Sequence, residues 1–237
     1  MAIIAQCDKL PDVEVLQRSS RIVNTLVADA SIKTYPATSD SPSACVGTAP
    51  ATLNGKIYLL SGRGGTATTP IEESGTTWEY DRFKTSWSLT QPSKNSPETF
   101  PAARSYHCII NDGKETLYLH AGCPEKRRHG DLWAFCISRK EWTEFAPAFD
   151  PPRGGTSIAF VDGKLYRMNG FDGKTEHGGN VDIYTIETAF WVWHGYPTDG
   201  KDGPTPRSVS ALLPISVGER PYLNTLFGEQ DLSSLGH

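Results

Sequence analysis

The sequence predicts an all-β propeller assembled from a repeated hairpin unit, and three observations carry that prediction. A tryptophan-rich segment recurs at Thr76–Trp87, Asp131–Trp142 and Asp182–Trp193, each with aromatics near its start, a polar turn, and a closing Trp. The starts lie 55 and 51 residues apart, and self-similarity at about 50 residues is the mark of propeller blades. In the same phase, a glycine ends an apolar strand at Gly62, Gly122, Gly170 and Gly228, and an arginine opens a blade at Arg104, Arg153 and Arg207.

The elements follow in order. Residues 45–62 read as strand, Asn54–Gly55 turn, strand, because Asn-Gly accepts the positive φ of a two-residue hairpin. Asp112–Gly113 and Asp162–Gly163 stand at the corresponding place in the next two units. Setting Gly55 against Gly163 places Cys45 where later blades carry arginine. The blades are therefore 45–103, 104–152 and 153–206, with partial blades at 16–44 and 207–237. Only 27 residues separate Arg18 from Cys45, against 59, 49 and 54 for the later intervals, so the first blade is short of about half a repeat. The segment Asp12–Ala30 also reads as a helix, with Val15, Leu16, Ile22, Val23, Leu26 and Val27 on one face and Asp12 as its cap. The expected product is an incomplete ring of three full and two partial blades. It is an open, marginally stable array unless strands from the two ends pair.

Composition bounds the function classes. The 237 residues include 22 Gly and 17 Pro, suited to many short strands and tight turns. The net charge of −4 gives no general attraction to nucleic acid or to an anionic membrane. Five cysteines (Cys7, Cys45, Cys108, Cys123, Cys136), odd in number and without CxxC spacing, argue against a disulfide framework or a zinc site. They read as reduced thiols. The start lacks the basic flank and long apolar run of a secretory signal, and 18 consecutive apolar residues occur nowhere. A cytoplasmic protein is the expectation.

The motifs Arg63-Gly-Gly, Arg104-Ser-Tyr-His107, Asp131-Leu-Trp133, Arg153-Gly-Gly, Gly170-Phe-Asp-Gly173, Pro206-Arg-Ser208 and Phe227-Gly-Glu229 resemble the kelch superfamily. Within it they are most similar to fungal kelch and galactose-oxidase-like proteins, which in turn resemble plant nitrile-specifier and thiocyanate-forming proteins. The resemblance covers nearly the whole chain from Leu16. At the plant level it implies a six-bladed kelch-type β-propeller that holds Fe(II) through Glu, Asp and His, each four residues from the next. Here Glu229 and His237 keep the outer spacing of eight, Ser233 takes the middle position, and Asp231 lies two residues after the glutamate. The implied metal ligands are Glu229, Asp231 and His237, a donor set that leaves open positions for a substrate.

Arg63, Cys123, Phe171 and Glu229 each follow the blade glycine directly, which puts all four on loops at one face of the ring. Convergent loops there make a ligand pocket, and Arg63, Cys123 and Phe171 are the candidate substrate-binding residues. Arg63 suits an anion because its guanidinium holds a carboxylate or sulfate bidentately; the competing reading is a turn arginine in water. The repeated arginines read as structural bridges from one blade to the next, and Trp78, Trp133, Tyr184, Trp87, Trp142 and Trp193 as packing between blades. His107 reads as a satisfied core histidine, and Lys126–His129 as a solvated hairpin tip. No Ser-His-Asp, Cys-His or phosphate-loop arrangement appears.

The leading reading is a kelch-repeat binding module whose loop face engages a protein or a small anionic ligand. One alternative is an Fe(II)-dependent, nitrile-specifier-like lyase acting on glucosinolate-derived thiohydroximates. Another is an accessory scaffold of a biosynthetic pathway. Fold alone does not choose among them.

Overall fold

Turn chemistry cuts the chain into short antiparallel strands. The computed structural model describes residues 3–4, 41–94, 99–218 and 220–230, and among these there are strands and no helix. In chain order they are β1 (Ile3–Ile4), β2 (Cys45–Val46), β3 (Ala49–Leu53), β4 (Lys56–Leu60), β5 (Arg63–Gly64), β6 (Thr69–Pro70), β7 (Thr77–Asp81), β8 (Ser86–Thr90) and β9 (Cys108–Asn111). They continue as β10 (Thr116–Gly122), β11 (His129–Cys136), β12 (Glu141–Phe145), β13 (Ser157–Val161), β14 (Lys164–Met168), β15 (Asn180–Thr185), β16 (Phe190–Gly195), β17 (Ala211–Val217) and β18 (Arg220–Leu226). The all-β prediction holds.

Three four-stranded antiparallel sheets result, β3-β4-β7-β8, β9-β10-β11-β12 and β13-β14-β15-β16, and β17 and β18 begin a fourth. In that fourth sheet β1 lies at the edge, with Ile3 opposite Thr225 and Ile4 opposite Asn224. A strand from the start of the chain therefore adds to the last sheet. The proposed partial blade at 16–44 and the alternative helix at Asp12–Ala30 lie outside the described residues.

The hairpin turns follow their residues with one difference. Asn54–Gly55 and Asp162–Gly163 hold positive φ at both positions, 52° and 77° in the first and 48° and 74° in the second, as a two-residue turn between twisted strands requires. Asp112–Gly113 belongs to a longer turn. There the Asp112 carboxylate accepts the backbone N–H groups of Lys114, Glu115 and Thr116, which places two more residues before β10 begins.

Register corrects the third tryptophan segment. Tyr80 pairs with Trp87, Phe135 with Trp142, and Tyr184 with Trp191. The third segment is thus offset by two residues, and Asp182, not Tyr184, stands where the other sheets carry Trp78 and Trp133. Trp191 is buried, while Trp193 is 61% exposed and is not packing between blades. The buried indoles stitch neighbouring sheets: Trp142 Nε1 donates to Gly75 O at 2.8 Å, and Trp191 Nε1 to Ala146 O at 2.9 Å.

The core lies between sheets, because each blade buries both faces. Ala51, Leu53, Tyr58 and Leu60 of the first sheet pack on Leu117, Leu119, Trp133, Phe135 and Trp142 of the second. Tyr118, Leu132 and Ala134 on the second sheet's other face meet Leu165, Tyr184 and Trp191 of the third. Ala159 and Met168 of the third meet Leu212 of the fourth. At about 25 cal/mol per Å² of apolar surface removed from water, these layers are the main stabilising term.

Candidate binding face

The blade glycine builds the face. The residue before it is left-handed in every unit (Ser61, Ala121, Asn169 and Phe227, φ 54–62°), and the glycine itself has φ between 101° and 140°. That backbone is closed to a side chain: a Cβ at Gly122 would stand 2.9 Å from Ser105 O, and one at Gly228 2.5 Å from Ser208 O. The glycine N–H then donates to the arginine carbonyl of the next blade, Gly62 to Arg104 at 3.0 Å, Gly122 to Arg153 at 3.1 Å and Gly170 to Arg207 at 2.8 Å.

The arginine side chains act within their own blades, which corrects the expected bridge from one blade to the next. Arg104 Nη1 donates to Ala121 O, Arg153 Nη1 to Asn169 O, and Arg207 Nη1 to Phe227 O, in each case the carbonyl just before that blade's glycine. Arg104 also forks onto both oxygens of Asp131, at 2.6 and 2.8 Å, and this bidentate pairing holds the partly buried Asp131 carboxyl below its usual range against the opposing effect of burial. The connection between blades is made by the arginine's backbone carbonyl. In the first blade, where Cys45 replaces arginine, Glu73 takes over: its carboxylate accepts Ser61 N–H and the Trp78 indole N–H, both at 2.9 Å.

The four residues after the glycines take equivalent places. Val46 pairs with Arg63, and Ser105 with Cys123, Gly154 with Phe171, and Ser208 with Glu229 form the same antiparallel bridge in the other blades. Cys123, Phe171 and Glu229 line one pocket of about 190 Å³, together with Tyr106, Arg128, Gly154, Val209 and neighbouring backbone. Arg63 stands beside it, with Nη2 on Pro124 O at 3.3 Å. Three of the four residues thus share a pocket, and Arg63 is not among the residues lining it.

Side chains of both charges gather at the pocket. The Arg128 guanidinium lies 5.8 Å over the Phe171 ring. Neither Arg63 nor Arg128 takes part in an ion pair among the described residues, and the Nε of each is buried without a hydrogen-bond partner. Burial pushes the Cys123 thiol up, while Arg128 and Arg63 pull it the other way, so the sulfur at rest is a thiol packed closely on Gly154. Glu229 also lines the pocket, and near it stands Glu176, whose Oε1 accepts Ser208 Oγ–H at 3.2 Å. Burial raises the Glu176 carboxyl, and the charges of Glu229 and Asp172 add to the rise. Asp172 is held well below the usual carboxylate range by its 3.0 Å bond to His177 Nε2, with the Thr175 and Lys174 N–H groups adding to it.

Of the three implied metal ligands, Glu229 is on this face; Asp231 and His237 lie outside the described residues. No group of three His, Cys, Asp or Glu among the described residues is placed to hold a metal ion. The four described cysteines are free thiols. His107 is buried as a core histidine should be, but neither ring nitrogen has a hydrogen-bond partner.

Sequence reasoning missed four residues of the site. Arg128 belongs to the supposed solvated tip, yet only Lys126 and Arg127 are fully exposed while Arg128 turns inward over Phe171. Glu176 carries no phase signal at all. Tyr106 and Val209, each two residues after a blade arginine, were within reach of the same phasing that found the others.

Residues 16–223, most of the chain, match the family described as the KLHDC2/KLHL20/DRC7 Kelch-repeats domain.

Proposed function

As the chain belongs to the kelch-repeat family, whose domains generally mediate protein interactions, we propose that it is a protein-binding module whose loop face holds an anionic group of its partner. The observation that carries this reading is the cationic pair. Two guanidiniums, Arg63 and Arg128, converge beside Cys123 and Phe171 with no carboxylate partner among the described residues and with buried, unpartnered Nε atoms. An unpaired, partly buried guanidinium is costly to leave without an acceptor, and a planar carboxylate or sulfate meets it with two hydrogen bonds. The acidic residues nearby are better provided for, because Asp172 has His177 and Glu176 has Ser208.

The position of the site fits the reading. It is formed by loops carried on stiff sheets, the usual arrangement for recognition. The test is selection of a displayed library of random linear peptides against the immobilised chain, repeated with the Arg63→Ala/Arg128→Ala variant. Enriched peptides should carry Asp or Glu, and binding should fall about tenfold or more in the variant, which is the loss of at least 1.4 kcal/mol. Peptides bound equally by both proteins would sink the reading. The Fe(II)-dependent lyase alternative draws its ligand set from Glu229, Asp231 and His237, of which Glu229 is on this face and the other two lie outside the described residues.

A further inference from the structure

We infer that the axial cavity behind this pocket is a second subsite, one that takes a large apolar side chain from the same partner segment whose acidic group is held at Arg63 and Arg128. The inference rests on the binding-face reading above and adds the partner's second recognition element.

Two cavities share one rim. The axial cavity, about 620 Å³, is lined by the segments that lead into and form the inner strands β3, β9, β13 and β17. Tyr106, Gly155 and Val209 line both this cavity and the loop-face pocket, so they stand between the two. The rim is held by a chain of backbone bonds across the blades: Tyr106 N–H to Gly47 O at 2.6 Å, Gly155 N–H to Tyr106 O at 2.8 Å, and Val209 N–H to Gly155 O at 2.7 Å. A rim fixed by main-chain bonds is preorganised, so little ordering remains to be done when a ligand arrives.

The rim's side chains are unusual for their backbone. Tyr106 and Val209 both have φ of 52°, a conformation that a bulky or β-branched residue rarely adopts and that persists where the surroundings impose it. Their side chains are nonetheless 41% and 49% exposed. Two apolar groups are thus held in strained backbone and presented to solvent at the mouth of a cavity. Gly155 is the rim position without a side chain, and it leaves the passage open.

Behind the rim the wall is mostly apolar, with the unpartnered His107 imidazole as its main polar exception. Ile109, Ile158, Leu212 and Leu213 contribute to it, and Leu213 remains 47% exposed. Its hydroxyls are already engaged, since Ser157 Oγ and Ser210 Oγ bond each other at 2.9 Å. The volume is in the range of small-ligand sites, about 300–1,000 Å³. An aromatic or long aliphatic side chain gains burial there, while the guanidiniums one pocket away fix its neighbouring carboxylate.

The test uses the peptides enriched from the random linear library on the whole chain. Expected sequences set Asp or Glu within one or two positions of an aromatic or long aliphatic residue. Replacing that apolar residue of the peptide by Ala should weaken binding about tenfold, and Leu213→Asp should weaken the parent peptide by a similar factor. Leu213→Asp should have little further effect on the Ala-substituted peptide, the coupling expected of a direct contact. Val209→Gly, which relieves the left-handed strain and widens the passage, provides a second variant and should also relax the choice of apolar residue. Peptides that are acidic only, and that Leu213→Asp and Val209→Gly bind as wild type does, overturn the apolar subsite and leave the anion site standing. Peptides indifferent to Arg63→Ala/Arg128→Ala, or no enrichment on folded protein, overturn both.

Discussion

The interface between the first and second sheets and the interface between the second and third are built on the same strand positions with opposite chemistry. In the second sheet Leu119 pairs with Trp133, and both pack on the first sheet. At the equivalent positions of the third sheet Arg167 pairs with Asp182, and the two are 0% and 1% exposed, with 3.3 Å between Nη1 and Oδ2. Arg167 also reaches Phe149 O and Pro151 O on the segment leaving the second sheet, and His120 of that sheet stands against Trp191. Strand pairing and the stitching indoles are common to both interfaces. A leucine–tryptophan pair has been exchanged for a buried ion pair as a unit, and the backbone is indifferent to which it carries.

The lesson is energetic. Leu119 and Trp133 stabilise simply by leaving water. The ion pair must offset the desolvation of two charges, and burial followed by the charge of Arg153 already pulls the Arg167 guanidinium down to about 10. The second interface should therefore tolerate loss of one partner far less well than loss of both.

The largest expected effect breaks that balance. Asp182→Ala leaves Arg167 buried without its carboxylate and should cost about 3–5 kcal/mol in a urea unfolding curve. The double exchange Arg167→Leu/Asp182→Trp, which copies the other interface, should recover most of that loss. A double variant as unstable as the single one would refute the equivalence of the two positions. Leu119→Ala should cost about 2–5 kcal/mol as a cavity, with no dependence on salt.

Acid should weaken the fold, because two buried histidines are held neutral, His120 at the second interface and His107 beside the axial cavity. Burial, with Arg104 adding for His107 and Arg167 adding for His120, lowers each from 6.5 to about 3. The unfolded chain takes up a proton on each below pH 6.5 that the folded chain refuses, so the stability they allow is full above 6.5. It declines as pH falls toward 3. The slope is about 1.4 kcal/mol per pH unit for each histidine, or about 2 kcal/mol each by pH 5. Unfolding curves from pH 7 to 4.5 measure it, and His120→Gln should remove about half the histidine contribution. An unchanged midpoint between pH 7 and 5 would contradict the burial of both rings.

The smallest effect sharpens what the interfaces share. Trp142→Phe and Trp191→Phe each remove one indole N–H, from Gly75 O and Ala146 O respectively. Each should cost about 1 kcal/mol. Equal losses are expected because the indole bond, unlike the Leu–Trp or Arg–Asp pair, is the same device in both places.

Much of this architecture was readable from the residues. The phase of Gly62, Gly122, Gly170 and Gly228 leads to the sheets and to the convergence of Cys123, Phe171 and Glu229, because a φ above 100° packed against the start of the same blade admits only glycine. The same phase placed the arginines but not their bonds, since the side chain and the carbonyl of one residue tie different blades. The third tryptophan was misassigned for a plain reason. Trp191 and Trp193 stand two residues apart on the same face of one strand, and which of them is covered depends on where the neighbouring sheet ends. Arg128 and Glu176 could not be found by phasing because they sit in loops of unequal length, and loop length sets where a side chain lands.

Local chemistry, then, was enough to determine the repeat, the two-residue turns and the side of the sheets on which the functional loops emerge, for these depend on backbone conformations only certain residues adopt. Which charges meet across the loop face, which indole is buried and which pair fills each interface were decided by packing between blades. Those outcomes depend on contacts between residues far apart in the chain, and no local spacing encodes them.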